Sequence, residues 1–201
     1  MDTHVAVLGA GSSGLAAMKG LREQGLGVEG FERGSDVGGL WRYENDNGLS
    51  AAYASLRTNV SRSRMQYPSF AMPTSYGDFP NHREMAAYLG AYADAYELRD
   101  SIRFRTRVER LEPAAGGTWR VTLDDGSRRS YGAVVVATGL FWSPRLSSAC
   151  PRQSECGRQS NTPNRAPASG SRTKAHAAFA VTRTPTDGSY TPTCGEHGGR
   201  H

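Results

Sequence analysis

The chain has little to hold it together covalently and nothing to hold it in a membrane. It carries three cysteines in 201 residues, Cys150, Cys156 and Cys194, and none in the first 149 positions. Their spacings of 6 and 38 residues lack the short paired intervals of a zinc site, so no metal site is expected. The disulfide framework of a small secreted domain is missing too. No run of roughly 18 apolar residues occurs, which excludes a membrane-spanning helix. The start, Met1-Asp2-Thr3-His4-Val5, lacks the basic region and apolar core of a secretory leader. These absences predict a cytoplasmic protein with no membrane segment.

Aliphatic residues are scarce in one part of the chain only. Residues 147–201 contain one Leu, Ile, Val or Met, namely Val181, whereas residues 1–146 contain 29. Ser, Thr, Pro and Gly make up 25 of those last 55 positions. Such a segment buries too little apolar surface to offset its chain entropy. Two regions are therefore expected: a folded segment over residues 1–146 and a low-complexity, disordered tail over residues 147–201. The formal charge of +5 divides as +4 on the tail and +1 on the folded part. The basic character thus belongs to the tail, where only Phe179 and Tyr190 are aromatic. Nucleic-acid binding wants basic residues on a folded face, so no nucleic-acid partner is expected.

What is present begins at residue 5. Val5-Ala6-Val7-Leu8 reads as a buried parallel strand, running into Gly9-Ala10-Gly11-Ser12-Ser13-Gly14. A helical stretch follows, with Leu15, Met18 and Leu21 on one face and Gly25 as its stop. Residues 26–32 read as a second strand ending in Glu32, 18 residues beyond Gly14. Strand, glycines, helix, strand and acid, in that order, make a dinucleotide site out of a glycine triplet that means little alone. Gly9 permits the tight turn, Gly11 admits the pyrophosphate to the backbone, and Gly14 lets the helix pack on the strand. The first helical N–H groups at Ser12 and Ser13 then face the phosphates, and the Glu32 carboxylate accepts from a ribose hydroxyl.

A second glycine pair, Gly38-Gly39, precedes the flat side chain of Trp41. A longer cofactor lying across the sheet has a use for a second exposed backbone turn. Over residues 5–43, with GAGSSGLAA, FER and GGLWRYE, the chain resembles the FAD-binding start of the flavin-containing monooxygenases. The resemblance implies that Glu32 holds the adenosine ribose of FAD and that Gly39, Leu40 and Trp41 lie against the cofactor. Related Baeyer–Villiger enzymes usually carry Thr at the position of Leu40, so the resemblance leans to the N- and S-oxygenating branch.

The segment Ser55-Leu56-Arg57-Thr58-Asn59-Val60-Ser61 resembles the Thr-Asn segment of the same family. There the Asn lies near the flavin ring and the nicotinamide and helps to hold the flavin hydroperoxide. By that resemblance Asn59 is the catalytic candidate and Thr58 a cofactor contact. A neutral amide suits the role, because it donates and accepts without adding charge. By itself, Asn59 also reads as an ordinary turn residue.

Residues 66–82 resemble the family's aromatic, proline-rich loop, and Pro68, Pro73 and Pro80 exclude regular structure there. Asn81 with Glu84 is a capping box. The helix it opens carries Met85, Tyr88, Leu89, Tyr92 and Tyr96 on a core-facing stripe. His82 reads as a first-turn or surface residue. From Ile102 the pattern is of strands, read as a small antiparallel meander with a hairpin turn at Asp124-Asp125-Gly126. Residues 131–139 return to a buried parallel strand ending in Ala137-Thr138-Gly139, small enough for backbone at Thr138 and Gly139 to approach a ligand.

The fold class predicted is α/β: a Rossmann-like FAD-binding domain, a parallel sheet with helices plus the meander, incomplete and followed by the tail. By resemblance the chain is an N,N-dimethylaniline monooxygenase-like enzyme using FAD and NADPH. It would oxygenate amine nitrogen or sulfide sulfur with O₂ through a flavin C4a-hydroperoxide, its partner a small-molecule substrate. The motif match ends near Leu146, with no second GxGxxG for NADPH in the sequence, and implies a truncated product. The alternatives are a non-catalytic FAD-binding fragment and another flavoprotein of the same first third, such as a Baeyer–Villiger monooxygenase.

Overall fold

A computed structural model of the chain describes residues 4–140 and the short strand at 180–182. Strand β1 (His4–Leu8) leads into helix α1 (Ser12–Glu23) and strand β2 (Gly27–Phe31). A short helix α2 (Arg62–Met65) and the longer α3 (His82–Ala95) follow. Then come β3 (Ile102–Arg103), β4 (Val108–Ala114), β5 (Thr118–Leu123), β6 (Arg128–Tyr131), β7 (Ala133–Val136) and β8 (Ala180–Thr182). Five strands form one sheet in the order β3-β2-β1-β7-β8, and β4-β5-β6 form a second sheet.

β1 lies between two parallel neighbours, β2 and β7. That position explains its unbroken apolar run, since both of its faces are covered. Val5 and Val7 pack with Leu15, Met18, Tyr88 and Leu89 of the helices. Ala6 and Leu8 pack on the opposite face with Val121, Leu123 and Tyr131 of the meander. Glu29 on β2 ties the meander to the main sheet. It accepts from the Tyr131 hydroxyl at 2.5 Å and pairs with Arg103 at 2.9 Å.

The helix ends follow local chemistry. At the end of α1, Gly25 has φ +73°, its N–H donates to Arg22, and the Leu26 N–H donates to Leu21. This is the Schellman arrangement that a left-handed glycine permits. At the start of α3, the Asn81 Oδ1 accepts from the N–H groups of Arg83 and Glu84, while Glu84 accepts from the Asn81 N–H at 2.8 Å. The expected capping box is thus complete, and Met85, Tyr88, Leu89 and Tyr92 are buried beneath it.

Two features depart from the sequence reading. β3 does not join the meander but extends the parallel sheet beside β2, and only Ile102 and Arg103 are strand. The chain turns away at Arg105, which has φ +52°, while Arg105 and Thr106 donate to Gly34 and Glu32. His82 is in the first turn of α3 as expected but is 4% exposed, with its ring 5.3 Å from that of Tyr43. The tail expected over residues 147–201 lies outside the described residues except for β8, whose Val181 is in antiparallel register with Val135. Among the described residues no helix is long and apolar enough to cross a membrane.

Candidate functional site

The carboxyl ends of β1, β2 and β7 meet at one edge of the sheet. Gly9 leaves β1 with φ +102°, and its N–H donates to the Phe31 carbonyl at 2.8 Å. A Cβ at Gly9 would come within 2.5 Å of the Ala137 carbonyl oxygen and 3.5 Å of Thr138 Cα, so the end of β7 presses on the turn. A Cβ at Gly14 would come within 1.9 Å of the Gly9 carbonyl oxygen. Both glycines are consumed by the protein's own packing. Gly11 is different, because a Cβ there would meet only Gly39 Cα, at 3.7 Å. Among the described residues nothing else approaches this face of Gly11, so it is open where Gly9 and Gly14 are closed.

Helix α1 begins at that open face. Gly11 is its N-cap, no side chain caps it, and its first turn has no acid. The first N–H groups, with the positive end of the helix dipole, are therefore available to an anion. The second glycine turn closes over the first. The Gly38 N–H donates to the Ala10 carbonyl at 3.0 Å, and a Cβ at Gly39 would come within 3.0 Å of Gly11 Cα. Leu40 is half-buried in the short helical turn Gly39–Trp41, and Trp41 packs into the main core. Asn45 is buried behind this turn. Its Nδ2 donates to the Gly39 carbonyl at 3.4 Å and its Oδ1 accepts from Arg42 at 3.1 Å.

Glu32 is 6% exposed, and both of its carboxylate oxygens are hydrogen-bonded. One carboxylate oxygen accepts from the Ala10 N–H and the other from the Gly34 N–H, each at 2.8 Å. The carboxylate therefore stitches the glycine loop to the end of β2. Each oxygen has a further lone pair for an outside donor. Glu32→Ala would leave two backbone N–H groups without their partner and is expected to cost about 1–3 kcal/mol of stability. Urea unfolding of the two proteins measures this, and coincident midpoints would refute the stitching role.

Thr58 and Asn59 lie on a separate excursion of the chain between β2 and α3. Its base is closed by the Arg57–Asn81 bridge, the Thr58 N–H to the Pro80 carbonyl at 2.9 Å, and the His82 N–H to the Leu56 carbonyl at 3.0 Å. Thr58 is 5% exposed, and its buried Oγ1 has no hydrogen-bond partner among the described residues. Such a hydroxyl is costly unless something outside the described chain satisfies it. Asn59 is exposed, and its amide has no partner among the described residues. Thr138 and Gly139 are exposed at the end of β7, with Gly139 at φ +79°.

The structure thus gathers Gly9, Ala10, Gly11, Ser12, Ser13, Gly14, Glu32, Gly39 and Thr138 at one sheet edge. Leu40 and Trp41 adjoin them through Gly39. Among the described residues no hydrogen bond joins Thr58 or Asn59 to the cradle; further along the same excursion the Tyr67 hydroxyl donates to the Ser12 carbonyl at 2.5 Å. Sequence reasoning did not find Tyr67, since a tyrosine in a proline-rich loop carries no motif. It also missed Asn45 and Gly34, whose roles depend on how distant turns stack.

A parallel sheet with an uncapped helix start, an open glycine and an acid at the end of the second strand defines a dinucleotide-binding protein. The profile of flavin-binding monooxygenase-like proteins matches residues 2–157, eleven residues past Leu146. The chain belongs to that family. It is 36% identical over 185 residues to the flavin-containing monooxygenase FMO GS-OX3 of Arabidopsis thaliana, covering 80% of this chain and 40% of that protein. It is 38% identical over 155 residues to flavin-containing monooxygenase 1 of Mus musculus, covering 73% of this chain and 29% of the relative. The structure of S-allyl-L-cysteine S-oxygenase from Allium sativum is similar with a TM-score of 0.65 at 31% identity, over 72% of this chain and 38% of that one. The chain spans about 40% or less of the length of these relatives.

Proposed function

We propose that this chain is the FAD-binding portion of an FAD- and NADPH-dependent monooxygenase acting in the cytoplasm on amine nitrogen or sulfide sulfur. The single observation that carries the flavin reading is the open face of Gly11 at the uncapped start of α1. The orphaned Oγ1 of Thr58 is a second point at which the residues present fit a bound group. In this reading the backbone of Gly11, Ser12 and Ser13 holds the pyrophosphate, and Glu32 takes the adenosine ribose. Gly39, Leu40, Thr138 and Gly139 line the path toward the ring, and Thr58 and Asn59 hold its reactive side. Trp41, anchored in the core, fixes the height of the Gly39 turn.

Bound flavin, reduced by NADPH, supplies the oxygen-activating chemistry. The protein's part is orientation and exclusion of water. Asn59 can donate through its amide N–H₂ and accept through its carbonyl at the same point. A charged side chain there would bring a counter-ion and its water with it. The similar Allium sativum protein is an S-oxygenase, which supports a soft nucleophile as the substrate.

The test is FAD titration of the chain by flavin fluorescence, followed by NADPH oxidation under air with a tertiary amine, a thioether or a cyclic ketone. Saturable flavin binding with amine- or thioether-dependent NADPH oxidation is expected of the proposed enzyme. Asn59→Asp should lower that turnover by about 10- to 100-fold with flavin retained, because it places a fixed charge where a neutral donor is needed. Lactone formation from the ketone would move the protein to the Baeyer–Villiger branch. Flavin binding without NADPH oxidation would reduce the chain to a binding module.

A further inference from the structure

We infer that Tyr67 is a positioning residue for the phosphate-binding turn, acting through its hydrogen bond to the Ser12 carbonyl. The inference rests on the flavin reading above and gives a role to one residue of the aromatic, proline-rich loop. The phenol donates to the Ser12 carbonyl oxygen at 2.5 Å. Ser12 is the first residue of α1, and its carbonyl belongs to the same peptide unit as the Ser13 N–H. Donation to the oxygen of a peptide polarises that unit and strengthens its N–H as a donor. The Ser13 N–H is one of the groups at the open helix start. The contact therefore acts on an anion donor from behind, without touching the anion.

The phenol is held for this purpose. The Tyr88 hydroxyl, on α3, accepts from the Tyr67 N–H at 2.7 Å and donates to the Phe70 carbonyl at 2.6 Å. It thereby clamps both ends of the tight turn in which the Phe70 N–H meets the Tyr67 carbonyl at 3.0 Å. Gln66 adds a third tie by accepting from the Met72 N–H at 3.1 Å. The Tyr67 ring is packed against Tyr92 at 4.2 Å and Tyr88 at 5.8 Å between centroids. Burial, then the neighbouring phenols of Tyr92 and Tyr88, push its ionisation far above the usual phenol range. It stays a donor at any working pH. The segment that ends in this turn is also the one that carries Thr58 and Asn59. One hydroxyl thus joins the loop of the catalytic candidate to the cradle.

Tyr67→Phe keeps the ring and removes the donor. Tyr88→Phe is the comparison, since it removes two hydrogen bonds from the same aromatic cluster and none from Ser12. In the full chain, Tyr67→Phe is expected to raise the FAD dissociation constant about fivefold, the scale of one hydrogen bond. It should also move the Ser13 amide nitrogen resonance of the flavin-free protein. Tyr88→Phe should lower the melting temperature more and the FAD affinity less. An unchanged dissociation constant in Tyr67→Phe would overturn the inference, as would affinity losses in both variants that track their melting temperatures. Should the wild-type chain bind no FAD, the flavin reading fails, and titration with inorganic pyrophosphate decides the inference. A weaker pyrophosphate response of the Ser13 amide in Tyr67→Phe sustains it, and an equal response overturns it.

Discussion

Gly11→Ala is expected to remove flavin binding and leave the fold standing. Gly11 has φ −77° and ψ −172°, which alanine adopts without strain. The new methyl would meet the protein only at Gly39 Cα, at an ordinary contact distance of 3.7 Å. Two small effects on stability oppose each other. Loss of chain freedom in the unfolded state favours alanine by about 0.4–1 kcal/mol. Alanine is also a poorer N-cap than glycine, by a similar amount. The melting temperature of the flavin-free chain should therefore stay near its wild-type value. The pyrophosphate, by contrast, has to approach this backbone closely, and a Cβ takes the space. The FAD dissociation constant should rise by roughly a hundredfold or more, the scale of losing several charge-assisted hydrogen bonds together. Titration by flavin fluorescence and a thermal melt on the same sample read both quantities. Unchanged flavin retention would show that the loop is not the phosphate cradle.

The cradle was legible in the sequence because each of its parts is a local constraint. A glycine needed for φ +102° at residue 9, a helix opening three residues on from it and an acid closing the next strand all leave marks at fixed spacing. The same holds for the Asn81–Glu84 box and the Gly25 stop, where a few consecutive residues satisfy one another. β1 was legible as a strand covered on both faces because no polar side chain interrupts it. What was not legible depends on contacts between distant segments. β3 is two residues long and owes its place to Gly30 and Phe31, 72 positions earlier, so nothing within residues 102–107 marks it as parallel rather than antiparallel. His82 reads as polar, yet it is buried under Tyr43, which reaches it from the glycine turn side. The Asp36–Arg99 ion pair, which joins the loop after β2 to the turn before β3, spans 63 positions and has no sequence signature. Tyr67 belongs to the same class, because its partner Ser12 is 55 positions away. The shape of the cradle was thus written locally, while the residues that brace it from behind were not.

Gly14→Ala should do the opposite of Gly11→Ala and destroy the fold before any question of flavin arises. Its methyl would lie 1.9 Å from the Gly9 carbonyl oxygen and 2.9 Å from the Gly9 carbonyl carbon, both backbone atoms. Relief requires α1 to lift from β1 by more than an ångström. Gly9 cannot retreat instead, since its own free side already faces the Ala137 carbonyl, 2.5 Å from where its Cβ would be. Lifting α1 withdraws Leu15 and Met18, both fully buried, from Val5 and Val7. Overpacking of a core commonly costs about 1–3 kcal/mol, and a clash against rigid backbone on two sides belongs above that range. Against a total stability of about 5–15 kcal/mol, such a loss is expected to send the chain to the insoluble fraction or lower its unfolding midpoint sharply. Gly20→Ala supplies the control on the same helix. A Cβ there meets nothing within 4 Å, so the variant should gain about 0.5–1 kcal/mol from helix propensity alone. Urea unfolding of the three proteins side by side separates the two glycines. Equal midpoints for Gly14→Ala and wild type would mean that helix and strand do not pack as closely as the Gly9–Gly14 contact requires, and the rigid cradle inferred from it would fall with that contact.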